Sequence, residues 1–254
     1  MLKKTEILNY WNKRFENNGA LSTGYTDELI QKFDDKKRWK VFKKSIEFCE
    51  GEKILDLGCN HGPWSIRLAK KKMNVTGIDI IEDAIKMAKE NAKKLSLDIK
   101  FYKMNIEQSN FKDKKFDKII SITVLQHILD DITFSKALKN ICRQLKFNGK
   151  LILIESAPNQ EIPEKLPFKR ERTFDEQIRV FEKFGLKLIQ VKGIFNFSVK
   201  WYYWIKKFYL PIKLENFFQK SGVIILNQFD YFLSEFSVFS SHSNLKLMVL
   251  KKIK

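Results

Sequence analysis

Several side chains that can do chemistry stand at the ends of short apolar runs in this sequence. Asp56 and Asp79 lie at the ends of two such runs, Asn105 follows a third, and His127 and Glu155 follow two more. Such runs predict buried parallel strands, and the carboxyl ends of parallel strands are where an α/β sheet meets its ligands. Carboxylates accept paired hydrogen bonds, and an imidazole can act as a general base near neutral pH. The sequence therefore predicts a ligand site at this edge of the sheet.

The stretch from Lys53 to Lys70, KILDLGCNHGPWSIRLAK, predicts how that edge begins. An apolar run is followed by a loop of small residues, and Pro63 then stands at the first position of a helix, where proline is favoured. The dinucleotide-binding pattern G-x-G-x-x-G would require glycine at positions 60 and 63, where this chain has Asn60 and Pro63. An ordinary strand-to-helix turn is the alternative interpretation.

This loop resembles motif I of the class I S-adenosylmethionine-dependent methyltransferases, in which two hydrophobic residues precede D-x-G-x-G-x-G. Asp56, Gly58 and Gly62 match the motif, and Asn60 replaces its middle glycine. Asparagine tolerates a left-handed backbone better than other residues except glycine, so the departure is mild. The resemblance implies S-adenosyl-L-methionine as the cofactor, held in part by Asp56, Gly58, Cys59, Asn60 and Gly62. It also implies an α/β fold, a Rossmann-like, seven-stranded, mostly parallel sheet with helices on both faces.

Further matches to this family follow in chain order. An acidic residue about 20 residues after the loop can accept hydrogen bonds from both ribose hydroxyls, and Asp79, followed by Ile80, fits that role. The alternative for Asp79 is a carboxylate that caps the next helix. The resemblance places further cofactor contacts at Asn105 and Ile106 beside the adenine, and at Ser121, Ile122 and Thr123 beside the methionine part. Asn105 and Ile106 could instead only shape a turn.

The stretch Val124-Leu125-Gln126-His127 resembles the V-L-x-H stretch that the small-molecule branch of this family carries just beyond the fourth strand. His127 is therefore the candidate general base for a hydroxyl acceptor, since the ordinary pKa of histidine lies near neutrality. The alternative is a structural histidine that holds the strand–helix junction by a hydrogen bond. Glu155 falls at the carboxyl end of the fifth strand, where we expect it to face the substrate.

Residues 1–50 predict helices before the first strand, because apolar residues recur there at helical spacing, as in Leu8, Trp11 and Phe15. Many methyltransferases of this class carry an N-terminal helical lid with Tyr-Trp followed by a basic residue, and Tyr10, Trp11 and Arg14 resemble that pattern. Tyr10 and Trp11 are thereby candidate substrate contacts, and packing onto the sheet is the alternative for Trp11. The resemblance also places Arg38 near the carboxylate of the cofactor.

The whole chain, residues 1–254, is predicted to be one domain. It would comprise the N-terminal helical lid (1–50), a cofactor-binding core (51–194), an aromatic helical insertion (195–243) and a last strand (244–252). The family usually joins its last two strands by a direct hairpin, so the insertion is a departure. Aromatic residues on one side of its first helix and lysines on the other are also typical of interfacial membrane helices. The alternative is that the insertion packs on the sheet as a substrate cap or a dimer face.

The formal net charge of +18 favours an anionic partner. Nucleic-acid sites usually show clustered arginine, so peripheral contact with an anionic membrane is the better of two interpretations. A general bias toward lysine, which is spread along the chain, accounts for the charge equally well. We find no signal-peptide pattern, no membrane-spanning run and only three scattered cysteines, which form neither a disulfide framework nor a metal site. A cytoplasmic protein without a metal is therefore expected.

These features together predict an S-adenosylmethionine-dependent methyltransferase that acts on a small-molecule, lipid or saccharide-precursor acceptor by O-methylation. The cofactor already carries an activated methyl group, so the protein has to position the acceptor, exclude water and assist removal of a hydroxyl proton. An RNA methyltransferase is one alternative, which the charge would favour, although no Asn-Pro-Pro-Tyr-like motif is present. A cofactor-binding or membrane-surface protein without transfer activity is the other.

Overall fold

Seven strands form one sheet in the computed structural model, which describes residues 4–19, 25, 27–111, 115–163, 166–206, 212–235 and 243–254. The strands are β1 (Lys53–Leu57), β2 (Asn74–Asp79), β3 (Lys100–Lys103), β4 (Phe116–Ile122), β5 (Leu145–Ser156), β6 (Leu186–Ile194) and β7 (Leu245–Lys252). Their order across the sheet is β3-β2-β1-β4-β5-β7-β6. The pairs among β1 to β5 are parallel, whereas β7 runs antiparallel to both of its neighbours. The predicted seven-stranded, mostly parallel, Rossmann-like sheet is confirmed.

Helices cover both faces of this sheet. They are α1 (Lys4–Asn18), α2 (Glu28–Ser45), α3 (Pro63–Ala69), α4 (Glu82–Lys94), α5 (Asp131–Gln144), α6 (Phe174–Lys183), α7 (Phe197–Ile205) and α8 (Ile212–Glu235). Helix α4 shows why such segments are helical: Ile85, Ala88 and Ala92 recur at helical spacing and are buried. Acidic residues occupy its first turn and lysines its last, which complements the helix dipole.

Two hydrophobic cores lie on opposite faces of the sheet, because alternate residues of each strand point to opposite sides. On one face, Leu55 of β1 belongs to a core that includes Phe181 of α6. On the other face, Ile54 packs with Phe42 of α2 and Trp64 of α3. Since both faces of the central strands are covered, their sequences are nearly continuous apolar runs. The functional site must therefore lie at an edge of the sheet, beyond the strand ends.

The insertion between β6 and β7 packs against the rest of the domain through α2 and β6. Val199 and Tyr202 of α7 are buried together with Ile30 of α2, and Tyr231 of α8 joins the core on that face of the sheet. These two helices therefore pack on the rest of the domain. No helix in the described part of the chain combines the length and hydrophobicity needed to cross a membrane.

A buried lysine and a buried aspartate join the insertion to α2. Lys37 Nζ lies 3.3 Å from Asp230 Oδ2 and donates to the carbonyl oxygen of Phe195 at 2.6 Å. Asp230 in turn accepts hydrogen bonds from the backbone N–H groups of Phe197 at 2.7 Å and Ser198 at 3.0 Å, at the start of α7. Both charged residues are almost fully buried, and the loss of Lys37 would leave the Asp230 carboxylate buried without its cation. The pair thus fixes where α7 begins relative to α2.

Candidate active site

A cavity of about 770 Å³ lies at the carboxyl ends of β1 to β4, with one side of α1 as part of its wall. This volume is within the roughly 300–1,000 Å³ that is typical of small-molecule sites. The lining residues that follow these strands include Gly58, Asn60, Asp79, Ile80, Ile81, Asn105, Ile106, Ile122, Thr123, Val124 and His127. The cavity thus gathers, at one edge of the sheet, most of the residues that the sequence predicted there.

The loop after β1 closely approaches the loop after β4. Gly58 has a φ of +66°, and a Cβ atom at this position would come within 2.4 Å of Val124 Cγ2, so the contact requires glycine. Asn60 also has a left-handed backbone, with a φ of +47°, as expected for a residue that replaces a motif glycine. Gly62 has a φ of +86° and precedes Pro63, the first residue of α3. Gly58 and Asn60 line the cavity, whereas Gly62 forms the turn behind them.

Two predicted cofactor residues, Asp56 and Cys59, are buried behind this loop and do not line the cavity. Asp56 Oδ2 accepts a 2.6 Å hydrogen bond from Ser65 Oγ on α3. Burial raises the pKa of Asp56 to about 7, and it also raises the pKa of the Cys59 thiol well above its ordinary value. Asp56 therefore ties β1 to α3 and supports the loop that forms the cavity wall.

Asp79 lies on the cavity wall at the end of β2. Its Oδ2 accepts a hydrogen bond from the N–H of Asn60 and its Oδ1 from the N–H of Ile81, both at 2.9 Å. Burial raises the pKa of Asp79, and these N–H donors oppose that effect because they stabilise the carboxylate. Each carboxylate oxygen keeps a further lone pair, so Asp79 can accept hydroxyl hydrogen bonds while it orders both loops.

Further parts of the cavity wall come from the loops after β3 and β4. Asn105 and Ile106 line the cavity, and Asn105 Oδ1 accepts a long 3.4 Å hydrogen bond from the N–H of Glu107 in the turn that follows. Ile122 and Thr123 line it on the β4 side. Thr123 has a φ of +56°, which is strained for a β-branched residue and is typical of loops at functional sites.

Glu155 is buried beneath the loop after β4 and does not line the cavity, contrary to the expectation that it faces the substrate. Its carboxylate accepts four hydrogen bonds of 2.9 to 3.3 Å, from the Ser121 hydroxyl and the backbone N–H groups of Val124, Leu125 and Gln126. Burial raises the pKa of Glu155 to about 7. Glu155 therefore holds the loop that presents His127, and Ser121, predicted as a cofactor contact, is a fully buried part of that support.

His127 lies on the cavity wall with its ring held by protein groups. Its Nδ1 is 2.8 Å from the carbonyl oxygen of Phe168, so Nδ1 carries the proton and donates it, which leaves Nε2 as the acceptor, 3.3 Å from Gln126 Nε2. Burial lowers the pKa of His127 to about 4, and the ring is therefore neutral at pH 7. The Trp11 ring meets the imidazole edge-on, with 4.6 Å between centroids.

Helix α1 forms the apolar wall of the cavity. Leu8, Trp11 and Phe15, one helical turn apart, all line it. Tyr10 points elsewhere and stacks on Phe168, with 4.1 Å between ring centroids. Of the two predicted substrate contacts, Trp11 is therefore in the cavity and Tyr10 supports the neighbouring loop. The spacing of Leu8 and Phe15 was the signal that could have assigned them to the site as well.

Arg38 and the insertion do not take part in this cavity. Arg38 Nε lies 2.7 Å from Asp34 Oδ2 on the same helix, and Asp34 also lies 3.4 Å from Lys37 Nζ, so Arg38 belongs to the buried charge cluster of α2. The described residues of α7 and α8 are absent from the cavity wall, so they do not form the substrate cap that was one alternative for the insertion. Within the described ranges, no three His, Cys, Asp or Glu side chains are placed to hold a metal ion.

Comparison with known proteins identifies relatives of the same architecture. Residues 49–209, more than half of the chain, match the family described as "Methyltransferase domain". A ubiquinone biosynthesis O-methyltransferase from Coxiella burnetii is 26% identical over 190 residues, which cover 75% of this chain and 70% of that protein. An O-methyltransferase from a polyketide multienzyme of Brevibacillus brevis, crystallised with S-adenosyl-L-homocysteine, is 20% identical at a TM-score of 0.60, covering 85% of this chain and 71% of its own. A TehB-like S-adenosylmethionine-dependent methyltransferase from Corynebacterium glutamicum is 18% identical at a TM-score of 0.56. The match covers 99% of this chain and 100% of that chain.

Proposed function

This chain belongs to the methyltransferase-domain family of S-adenosylmethionine-dependent enzymes, and on that premise we propose that it methylates a hydroxyl oxygen of a small, largely apolar molecule. The observation that carries the proposal is one cavity that combines the Asp79 carboxylate, the neutral imidazole of His127 and an apolar wall from α1. The carboxylate suits a ribose, the imidazole suits a hydroxyl, and the apolar wall suits the body of an organic acceptor.

The residues at the strand ends fit the cofactor of this family, S-adenosyl-L-methionine, which supplies an activated methyl group when bound. Asp79 would accept hydrogen bonds from the ribose hydroxyls, and charge-assisted bonds of this type are about twice as strong as neutral ones. Asn105 can offer a donor and an acceptor to the adenine edge, and Ile106 can pack against its face. The backbone at Gly58, which has no side chain, lets the cofactor approach the β1 loop closely.

The acceptor would occupy the part of the cavity bounded by α1 and the start of α5. Leu8, Trp11 and Phe15 form one side, and Ile128 and Leu129 after the β4 loop form the other. Such a lining favours an apolar acceptor body with few polar groups. The Coxiella burnetii relative is named for O-methylation in ubiquinone biosynthesis, which supports a hydroxylated small molecule as the acceptor class.

His127 would accept a hydrogen bond from the acceptor hydroxyl at Nε2, in place of the 3.3 Å hydrogen bond that the Gln126 side-chain amide donates there, because a neutral imidazole nitrogen has a single lone pair. This bond would aim the hydroxyl oxygen at the methyl group, and the proton would pass to Nε2 as the new C–O bond forms. A group with a pKa of about 4 is a weak base, so we assign His127 mainly to orienting the hydroxyl.

A lipid-linked acceptor and peripheral contact with an anionic membrane are the finer parts of this proposal. The apolar lining of the cavity and the net charge of +18 both support them. A membrane-borne acceptor would expose only its head to the cavity, where the polar groups needed for orientation lie.

The direct test is transfer of labelled methyl from S-adenosyl-L-methionine into fractionated cell extract. We expect label in the organic-extractable or low-molecular-weight fraction, and its loss when Asp79→Ala replaces the wild type. Label found only in total RNA would replace the proposed acceptor class by RNA. A folded wild type that labels no fraction would contradict the transfer activity itself.

The role of His127 is tested by the pH dependence of kcat/KM. Because its pKa lies near 4, the neutral ring is fully present above about pH 5, and we expect no loss of activity from this group between pH 8 and pH 5.5. His127→Gln, which keeps an amide near the hydroxyl, should retain more activity than His127→Ala. A wild-type profile that falls below pH 6.5 and is flat in His127→Gln would show instead a base of ordinary pKa.

A further inference from the structure

Helix α8 presents an uncharged apolar stripe to the surface. Phe218, Ile225, Phe229 and Phe232 are 43%, 67%, 48% and 56% exposed. Steps of seven, four and three residues place them on one side of the helix, over about 21 Å of its length. The polar positions on the same side are neutral, as Gln228 illustrates. Large side chains exposed in one continuous row are unusual on a soluble surface and mark an interaction site.

Helix α7 extends this stripe into a wider face. The Phe197 ring, 40% exposed, lies 6.1 Å from the ring of Phe229. Trp201 Nε1 donates to the carbonyl oxygen of Phe218 at 3.2 Å, and the Trp201 and Trp204 rings are 5.2 Å apart. We name the exposed set Phe197, Trp204, Phe218, Ile225, Phe229 and Phe232 the α7–α8 face. Aromatic residues of this kind are characteristic of surfaces that enter the interfacial region of a bilayer.

Positive charge borders the α7–α8 face. Lys200 of α7 lies 5.6 Å from the Phe197 ring. On the neighbouring helix α2, Lys40 Nζ lies 3.4 Å from the ring of Tyr231 of α8. Each cation near an anionic bilayer contributes about 1 kcal/mol to association. The net charge of +18 per chain opposes the docking of a second copy on this face and favours an anionic surface instead.

The topology places the start of the insertion on the same side of the molecule as the cavity. Strand β7 is antiparallel to both β5 and β6, so β6 runs in the same direction as β5. Helix α7 therefore begins beyond the carboxyl end of β6, at the edge of the sheet where the cavity lies. We propose that the α7–α8 face docks on an anionic lipid bilayer by inserting its aromatic and aliphatic side chains among the lipid head groups.

This docking concerns a surface outside the cavity, and it can be tested without methyl transfer. The probe is sedimentation of the full chain with vesicles of phosphatidylcholine alone or mixed with phosphatidylglycerol. We expect binding to the mixed vesicles only, and at least a ~10-fold weaker partition for the double variant Ile225→Ser, Phe232→Ser, because two half-exposed apolar side chains no longer enter the bilayer. Lys200→Gln, which removes the cation beside Phe197, should weaken binding and reduce its dependence on salt.

A matched control variant replaces the same two residue types, one isoleucine and one phenylalanine, at positions away from this face. Ile132 and Phe147 are 71% and 67% exposed, so Ile132→Ser with Phe147→Ser removes slightly more exposed apolar surface and should still bind mixed vesicles as the wild type does. Thermal unfolding of both double variants checks that each is folded. The proposal is overturned if the wild type does not bind mixed vesicles, or if the double variant Ile225→Ser, Phe232→Ser binds them as well as the wild type does. A wild-type dimer that becomes monomeric in that variant, without vesicle binding, would assign the face to a second copy.

Discussion

The close contact between the β1 and β4 loops leads to a quantitative prediction for Gly58→Ala. The new Cβ would lie 2.4 Å from Val124 Cγ2 and 2.8 Å from Val124 Cγ1, at a φ of +66°. A left-handed backbone costs a non-glycine residue about 1–2 kcal/mol, and overpacking typically adds about 1–3 kcal/mol. We therefore expect Gly58→Ala to lower the free energy of unfolding by about 2–5 kcal/mol, and to weaken cofactor binding because Gly58 lines the cavity.

Two further variants separate the backbone cost from the steric cost. Gly51 has a φ of +82° with no atom within 4 Å of an added Cβ. Gly51→Ala should therefore lower the free energy of unfolding only by the cost of a left-handed backbone, about 1–2 kcal/mol. Val124→Ala removes both clashing methyl groups, so in a double-mutant cycle it should recover about 1–3 kcal/mol of the loss in Gly58→Ala. Denaturant unfolding of the four variants measures these differences. Equal destabilisation by Gly51→Ala and Gly58→Ala, or no recovery with Val124→Ala, would refute the steric reasoning.

Two buried charged groups, Glu155 and the Lys37–Asp230 pair, give further predictions that unfolding measurements can check. The pKa of Glu155 is raised from 4.5 to about 7, so the stability it contributes is full below pH 4.5 and is lost as the pH rises through 7. From pH 4.5 to pH 8 the stability of the wild type should fall relative to Glu155→Gln by up to about 3 kcal/mol, and a pH-independent difference would contradict this assignment. Lys37→Met should cost about 3–5 kcal/mol because it leaves Asp230 buried without its cation, and adding Asp230→Asn should recover part of the loss. A double variant whose loss equals the sum of the losses in Lys37→Met and Asp230→Asn would show that this pair is not coupled.

The sheet and the cavity wall at the ends of β1 and β2 were predictable from local sequence. Residues of this region follow one another along the chain in strand-loop-helix units, and each unit carries its own signal. Asn60 adopts the left-handed backbone expected of a glycine replacement, Pro63 begins α3, and Asp79 lies on the cavity wall at the end of β2. Such features depend on a few neighbouring residues, which a single sequence contains in full.

Glu155 and the insertion depend on long-range packing that no local pattern reports, whereas Arg38 forms an i,i+4 ion pair that the sequence does contain. Glu155 stands at the carboxyl end of a central strand, yet the loop after β4 folds over it and uses both of its oxygens. Arg38 has the positive charge needed to bind the carboxylate of a cofactor. Its guanidinium instead forms an ion pair with Asp34, four residues away on the same helix. The sequence left open whether the insertion caps the substrate, forms a dimer face or meets a membrane, and in the structure α7 and α8 pack on α2 and β6.

Calorimetric titration with S-adenosyl-L-methionine or S-adenosyl-L-homocysteine tests most directly whether the cavity at Asp79 is the cofactor site. Asp79→Asn replaces a charged acceptor by a neutral one and should raise Kd about 10- to 150-fold, the equivalent of losing a charge-assisted hydrogen bond of about 1.5–3 kcal/mol. Asp83→Asn, at an exposed carboxylate four residues along, is the matched control and should bind as the wild type does. A folded wild type that gives no heat with either compound, or an Asp79→Asn variant with unchanged Kd, would contradict the proposed site.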